Sequence, residues 1–397
     1  MFNSLELFVK IDDCEIYIIA GYTDEESNFK LSEQIILNTE EIKNNNIYNL
    51  ETISNLIKKN ILLIEQKINF TFKDLTIILN NLEVSFLNLC GFKKLNGTQI
   101  SKENITYILN SLKSSVDESE KDKKILHIFN TKYCLDKKNL DNLPIGLFGD
   151  FYSHELSFNL INKNDFRNLE NIFAKCNLKI KKILLDSYVR GSMISELNPK
   201  VDTFFYIQIK KNKSKIFYIE KNSVKNEQKF NFGAEIILKD ICKVTSLNYD
   251  TVDNIVSNDA SISKDLTIEI LDEKFFKNQK FRKIRNKLIS DIAEARVQEL
   301  SKFFLFENIN FKCFLQNTRN IFLEIEDPQH LKYFKEIYES NFVLNNKSEL
   351  RLIKSLEIEE TIKTAVNILK FGWKKEAIPV VRLKKSFFSK IFKSIFQ

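Results

Sequence analysis

Residues 5–20 read LELFVKIDDCEIYIIA, two apolar runs of strand character on either side of an acidic turn at Asp12 and Asp13. Residues 33–37 supply a third such run, so the chain opens as a three-strand meander. Residues 50–67 then carry Ile53, Leu56, Ile57, Ile61 and Ile64 at helical spacing, and residues 75–79 are the short continuous apolar run of a buried strand. The opening is therefore βββαβ. The plan returns in the second part of the chain, where 203–209, 214–220 and 224–232 read as strands and 234–244 as a helix. Two such halves with different insertions predict a duplicated α/β architecture with a cleft between them.

Further along the first half, Ser101 caps a helix carrying Ile105, Ile108, Leu109 and Leu112, which ends in the charged loop 117–124. Strands are expected at 125–129 and 152–161, joined across a turn with Pro144 and Gly146. A helix over 165–177, a strand over 180–185 and a helix from 187 complete the first half. Beyond residue 244 the pattern predicts a long charged helical region over 274–306, a strand over 311–315 and helices over 330–338 and 358–372.

Composition narrows the chemistry. The chain has 8 glycines in 397 residues, about a third of what average usage of ~7 % would give. Phosphate-cradling loops need glycine for close approach of backbone, and neither GxGxxG nor GxxxxGK[ST] is present. The excess of 60 basic over 53 acidic side chains is mild and spread along the chain, which gives nucleic-acid binding little support. The 6 cysteines lie far apart without a CxxC pair and the 3 histidines are isolated, which speaks against a metal site, a disulfide set or a Cys/His nucleophile. No apolar run reaches the ~18 residues of a membrane span, and Glu6, Asp12, Asp13 and Glu15 interrupt the first twenty residues where a signal peptide needs an apolar stretch. A cytoplasmic location is the expectation.

Residues 386–397, SFFSKIFKSIFQ, form an amphipathic helix on the wheel: Phe387, Phe388, Ile391, Phe392, Ile395 and Phe396 share one half, opposite Lys390 and Lys393. Lys384 and Lys385 lead into it, and no acidic residue follows Glu376. An apolar face beside a wholly cationic one suits an anionic membrane surface; the alternative is docking on the protein itself or in a partner's groove. One such tail is a reversible anchor, and many tails on a polymer are a firm one.

Several stretches resemble FtsA, the actin-like protein that tethers the bacterial division polymer FtsZ to the inner membrane. They are KILHIFNTKYCLD at 124–136 with LPIGLFG at 143–149, like the core of that family's inserted SHS2-type subdomain; Phe232-Gly233-Ala234 opening a helix toward Asp240 and Ile241; ISDIAEARVQEL at 289–300; and the terminal amphipathic helix. Their order holds over nearly the whole chain. The resemblance implies a duplicated actin-like fold of the actin, Hsp70 and sugar-kinase class. Its parts would be subdomain 1A over 1–81 and 162–200, the SHS2-like insertion over 82–161, subdomain 2A over 201–249 and 309–376, an FtsZ-docking subdomain 2B over 250–308, a linker over 377–385 and the membrane helix over 386–397. It further implies the cytoplasmic face of the inner membrane at the division site, self-association into polymers, later division proteins on the insertion, and the FtsZ C-terminal peptide on Arg282, Arg296 and Glu299. Arginine suits bidentate capture of an acidic peptide, although these residues also read as one solvated charged face among Lys280, Lys283, Arg285 and Lys287.

The departures from the family's pattern concern its nucleotide, ATP. The first phosphate loop, Asp-Ile-Gly-Thr, is represented by Lys10, Ile11, Asp12 and Asp13; the second by Tyr206, Ile207, Gln208, Ile209, Lys210 and Lys211; and the adenosine-side Gly-Gly turn by Gln316, Asn317 and Thr318. Carboxylates repel a triphosphate, and a branched Ile209 stands where bare backbone is required. The expectation is a pseudo-ATPase that binds ATP weakly or not at all, its cleft held closed by packing around Phe204, Phe205 and Tyr206, with Lys210 or Lys211 as a residual phosphate contact. Two rivals remain: a working ATPase of the same fold class, and a PilM-like adaptor of a pilus or secretion platform that binds a membrane partner's peptide.

Overall fold

A computed structural model describes the chain except residues 1–4, 25–28, 44–45, 81, 259–269, 277–278, 344–348, 356, 373–375 and 378–397. The opening meander is β1 (Leu5–Ile11), β2 (Glu15–Thr23) and β3 (Phe29–Asn38), followed by the short pair β4 (Ile42–Lys43) and β5 (Asn46–Ile47), helix α1 (Leu50–Ile68) and β6 (Asp74–Leu79). Helix α1 starts where the Asn49 side chain accepts from the amides of Glu51 and Thr52, and it buries Ile53, Ile57, Ile61 and Ile64, the face its spacing predicts.

The chain then leaves for a separate sheet: β7 (Val84–Lys94), α2 (Lys102–Ser119), β8 (Lys123–Leu135), β9 (Lys138–Leu140) and β10 (Phe151–Asn162), paired in the order β7-β10-β8-β9. Ser101 and Asn104 make a reciprocal capping box at the start of α2. Helix α3 (Lys163–Ala174), β11 (Lys179–Leu185) and α4 (Asp186–Leu197) return to the first half, whose sheet runs β11-β6-β1-β2-β3.

The second half contains β12 (Phe204–Ile209), β13 (Ser214–Glu220), β14 (Ser223–Phe230), α5 (Glu235–Thr245), α6 (Tyr249–Asn258), α7 (Asn286–Ser301), β15 (Asn320–Ile325), α8 (Pro328–Asn341), β16 (Glu349–Ile353) and α9 (Ile358–Phe371). Its sheet, β14-β13-β12-β15-β16, repeats the first: an antiparallel meander followed by two strands parallel to the meander's first. The repeat extends to single hydrogen bonds. The Asp12 amide donates to the Glu15 carbonyl at 2.9 Å and the Lys210 amide to Lys213 at 2.8 Å, closing the two hairpins alike. The Asn80 amide donates to Ile11 and the Glu326 amide to Ile209, both at 3.0 Å. Asp12 and Lys210 are thus equivalent positions, as are Asn80 and Glu326.

Strand β12 is buried on both faces and divides its side chains between two cores. Phe204 and Tyr206 join Tyr188 and Val189 of α4 and Ile362 and Val366 of α9 in the first half's core, whereas Phe205, Ile207 and Ile209 belong to the second half's own cluster. The first of these cores thus takes in side chains of both halves beneath the cleft, and β12 is the wall between it and the second.

Two sequence expectations need correction. The region 274–306 is not one helix: a 3-10 turn, Glu273–Phe275, and the α7 helix are separate, and the Leu271 amide, before the turn, donates to the Ile284 carbonyl, just before α7, at 2.9 Å, so the chain doubles back between them. Phe276 and Phe281 meet edge to face at 5.1 Å across this segment, and its buried apolar side chains serve packing without a helical period. The strand expected at 311–315 is a 3-10 turn, Lys312–Gln316; Phe314 stacks on Tyr218 at 4.3 Å, and the strand is β15. Strands β7 and β16 and helix α6 had not been expected. The helix expected at 386–397, with Lys384 and Lys385, lies outside the described residues.

Candidate functional site

The two equivalent hairpin turns face each other across the cleft. From the first half come Asp12, Asp13 and Asn80, and from the second Lys210, Lys213, Lys215 and Lys229, around a cavity of about 280 Å³. Lys210 Nζ lies 3.3 Å from Asp12 Oδ2, and Lys213 Nζ pairs with Asp13. Asn80 donates to Asp12 Oδ1 at 2.9 Å and accepts from Lys215 Nζ at 2.8 Å. Lys229 Nζ donates to the main-chain carbonyls of Asn80 and Leu82 at 2.5 and 3.0 Å. Glu326, the counterpart of Asn80, lies 3.8 Å from Lys210.

Deeper in, the network becomes fully buried. Asp186, the first residue of α4, is met by Arg190 at 2.8 Å, Lys10 at 3.5 Å and Lys215 at 3.6 Å. Arg190 continues to Glu324 of β15 at 3.2 Å, and Glu324 also accepts from Tyr206 and, at 2.8 Å, from Gln208. Glu227 closes the set, 3.4 Å from Lys215 and 3.6 Å from Lys229. Burial alone would raise the Asp12 carboxyl, but Lys210 and Lys10 outweigh it and hold it down at about 2. Burial is outweighed likewise at Asp186, by Arg190, Lys10 and Lys215, and at Glu227, by Lys215 and Lys229, so both stay below the usual carboxylate range. Carboxylates held this low act as fixed counter-ions, whereas a general base for neutral pH needs a pKa near 7.

Each expected site residue has a definite place. Asp12, Asp13, Gln208 and Lys210 line the cleft, as does Lys211, which reaches Glu235 at 4.0 Å. Ile209 does not: it is buried in the second half's core, on the strand face turned away. Gln316, Asn317 and Thr318 are not the third loop. They precede β15, where Thr318 Oγ1 donates to the Thr203 carbonyl at 2.7 Å, at the end of the sheet opposite the cleft. The loop that follows β15 at the cleft is Glu326-Asp327, which sequence reasoning missed because the strand had been placed too early. On α7, Arg296 pairs with Asp240 of α5 and at 2.6 Å with Glu299; Arg282, ahead of α7, approaches the Thr245 carbonyl at 3.5 Å. The structure brings Arg296 and Glu299 together and leaves Arg282 at the end of α5.

ATP does not fit the residues present. The N-terminal amides of α5, which could face a phosphate, are taken: Ala234 donates to the Lys210 carbonyl and Glu235 to that of Lys211, each at 2.9 Å. A phosphate charge held ~4 Å from Asp12 would be repelled by about 4 kcal/mol at an effective dielectric near 20. Among the described residues no group of three or more His, Cys, Asp or Glu could hold a metal ion, and no helix is long and apolar enough to cross a membrane.

Away from the cleft, three histidines are buried. His127 accepts from the Leu185 amide at 3.4 Å and, in the tautomer this leaves, donates to Glu376 at 3.0 Å; Lys182 and Tyr188 also reach Glu376, at 2.9 and 3.1 Å. Burial pushes His154 and His330 down to about 4. As pH falls from 6.5 toward 4 the unfolded chain protonates both histidines before the folded one does, so stability drops by up to ~1.4 kcal/mol per pH unit for each. Asp12, lowered to about 2 against Lys210 and Lys10, adds a second loss between about pH 4 and 2. Urea midpoints are expected to fall as the pH is lowered from 7.5 through 5 to 3.5; a midpoint at pH 5 equal to or above that at pH 7.5 would contradict the buried neutral histidines.

With this geometry in view, the chain can be set beside known proteins. No protein-family model and no curated protein matches its sequence. Among solved structures it is similar to a PilM–PilN type IV pilus biogenesis complex, at TM-score 0.54 and 9 % identity over 94 % of this chain and 99 % of that one. It is also matched with the ethanolamine utilization protein EutJ from Carboxydothermus hydrogenoformans, at 0.44 and 8 % over 94 % and 91 %, and with MreB5 of Spiroplasma citri bound to AMPPNP, at 0.43 and 10 % over 92 % and 96 %. Identity this low shows the fold alone. With the repeated five-stranded sheets, the first match defines the class: the chain has the duplicated actin-like α/β fold.

Proposed function

We propose that the chain is a non-catalytic actin-like scaffold of the FtsA kind, which tethers the FtsZ polymer to the cytoplasmic face of the membrane. The observation that carries this reading is the separate sheet β7-β10-β8-β9, inserted between β6 and β11; of the two stretches that resemble the family's inserted subdomain, 124–136 runs along β8 and 143–149 lies in the connection from β9 to β10. The tail supplies the membrane contact, the surface around Arg296 the polymer contact, and self-association multiplies both weak associations. A cleft filled by its own ion pairs suits a scaffold without an ATP cycle.

The test is co-sedimentation of FtsZ with anionic liposomes, using the full chain without nucleotide. FtsZ is expected to pellet only with this protein present, and Phe392→Glu is expected to release both. If nothing pellets until ATP is added, the non-catalytic reading fails. If FtsZ never pellets while the protein itself does, the partner is another one. The PilM–PilN match leaves a pilus-platform adaptor as the second reading on fold alone, and partner identity separates the two.

A further inference from the structure

We propose that the facing hairpin turns form a built-in ionic clasp, in which Asp12 and Asp13 stand in for a bridging phosphate ligand and join the halves without one. A ligand bound between two halves cross-links them only if both hairpins hold it. Here the chain itself makes the cross-link: Lys210 to Asp12 at 3.3 Å, Lys213 to Asp13, Lys215 to the Asn80 side chain at 2.8 Å, and Lys229 to the main-chain carbonyls of Asn80 and Leu82 at 2.5 and 3.0 Å. Four cations of the second half are thus engaged by the first.

The internal repeat sharpens the argument. Asp12 and Lys210 occupy the same place in the same hairpin of each half, and each turn is closed by the same backbone bond. A phosphate-binding pair of hairpins would need donors at both places. This chain has an acceptor at one and a cation at the other, which satisfy each other directly. Asn80, fixed between Asp12 and Lys215, and Glu326, beside Lys210, complete the match at the second pair of equivalent positions. The clasp stands whether or not the protein tethers FtsZ, because it concerns only how the halves are joined.

Removing the stand-in should therefore do two things: loosen the hairpins and leave lysines that accept an anion. The experiment compares the full chain with the Asp12→Asn, Asp13→Asn double variant by amide hydrogen exchange and by calorimetric titration with inorganic triphosphate. In the unmodified chain, the amides of 12–15 and 210–213 are expected to be protected without any nucleotide, and triphosphate to give no heat. In the double variant the same amides are expected to exchange at least about tenfold faster, with triphosphate binding and restoring their protection. Lys213→Gln, at a side chain only about a third exposed, should speed exchange in both hairpins without creating the anion site. Triphosphate binding to the unmodified chain overturns the proposal, as does exchange that neither variant alters. If the double variant loosens but binds no triphosphate, the carboxylates join the halves without standing in for phosphate, and that half of the proposal falls.

Discussion

Asp186→Asn is expected to destabilise the protein by about 3–5 kcal/mol, a loss large enough to remove much of a domain's net stability. The substitution keeps the shape of the side chain and deletes its charge. Asp186 is fully buried, with Arg190, Lys10 and Lys215 within 2.8 to 3.6 Å of its carboxylate oxygens. Lys10 and Arg190 are themselves 5 % and 4 % exposed, so neither can turn to water when the carboxylate is lost. An uncompensated cation in such a site costs far more than the original pair gains. The amount is read from urea denaturation with a second probe for cooperativity. A change below about 1 kcal/mol would mean that Glu324, Glu227 and Asp12, which lie 3.2, 3.4 and 3.9 Å from Arg190, Lys215 and Lys10, neutralise these cations without Asp186.

The same residue shows where sequence reading stops. Its carboxylate lies at the start of α4, and nothing in the local pattern DSYVRGSMI separates a solvated acid and base at helical spacing from the centre of a buried network. The network exists because β1, α4, β12, β13 and β15 converge, and convergence is a property of topology. What could be read locally was the repeat: residues 5–20 and 203–220 each alternate between apolar runs and a charged turn, and the structure places them in matching hairpins. The opposite signs of the two turns were also visible, as Asp12-Asp13 and Lys210-Lys211. Their pairing was not, because it requires knowing that the halves face each other. Packing around Phe204, Phe205 and Tyr206 was expected to hold the cleft. Phe204 and Tyr206 do join the halves beneath it, Phe205 faces the other way, and the cleft itself is ionic.

Misplacing one strand had a longer reach. Residues 311–315, FKCFL, are as apolar as a short strand, but Phe311 and Phe314 pack as rings against Phe205 and Tyr218 and the backbone turns. The strand NIFLEI, six residues long, is equally apolar on one side and carries Glu324 on the other, which a sequence reading counts against burial. Glu324 is fully buried because Arg190, Tyr206 and Gln208 satisfy it. An acid sheltered by partners distant in sequence thus displaced the third loop in the sequence reading by about ten residues, from 316–318 to Glu326-Asp327.

On the FtsZ-docking role proposed for it, Arg296→Glu is expected to lower FtsZ recruitment at least about tenfold while moving the melting temperature by only a few degrees. The small stability effect follows from its setting: Arg296 pairs with Asp240 and Glu299 at the surface, its side chain a quarter exposed, and such pairs contribute ~0–1 kcal/mol. The large binding effect follows from sign, since the substitution removes the one cation between Asp240 and Glu299 and leaves three acids together, which reject an acidic peptide. The pairs seen in the structure also provide a sharper test of the same assignment. Docking of a peptide carboxylate on Arg296 has to displace Asp240 or share the guanidinium with it, so the intramolecular pair competes with binding. Asp240→Asn removes the competitor and keeps the arginine, and it is expected to tighten the FtsZ peptide severalfold. If Arg296 only braces α7 against α5, Asp240→Asn will leave the affinity unchanged and Arg296→Glu will act through stability alone. A peptide titration of both variants, set beside their melting curves, distinguishes a binding residue from a brace.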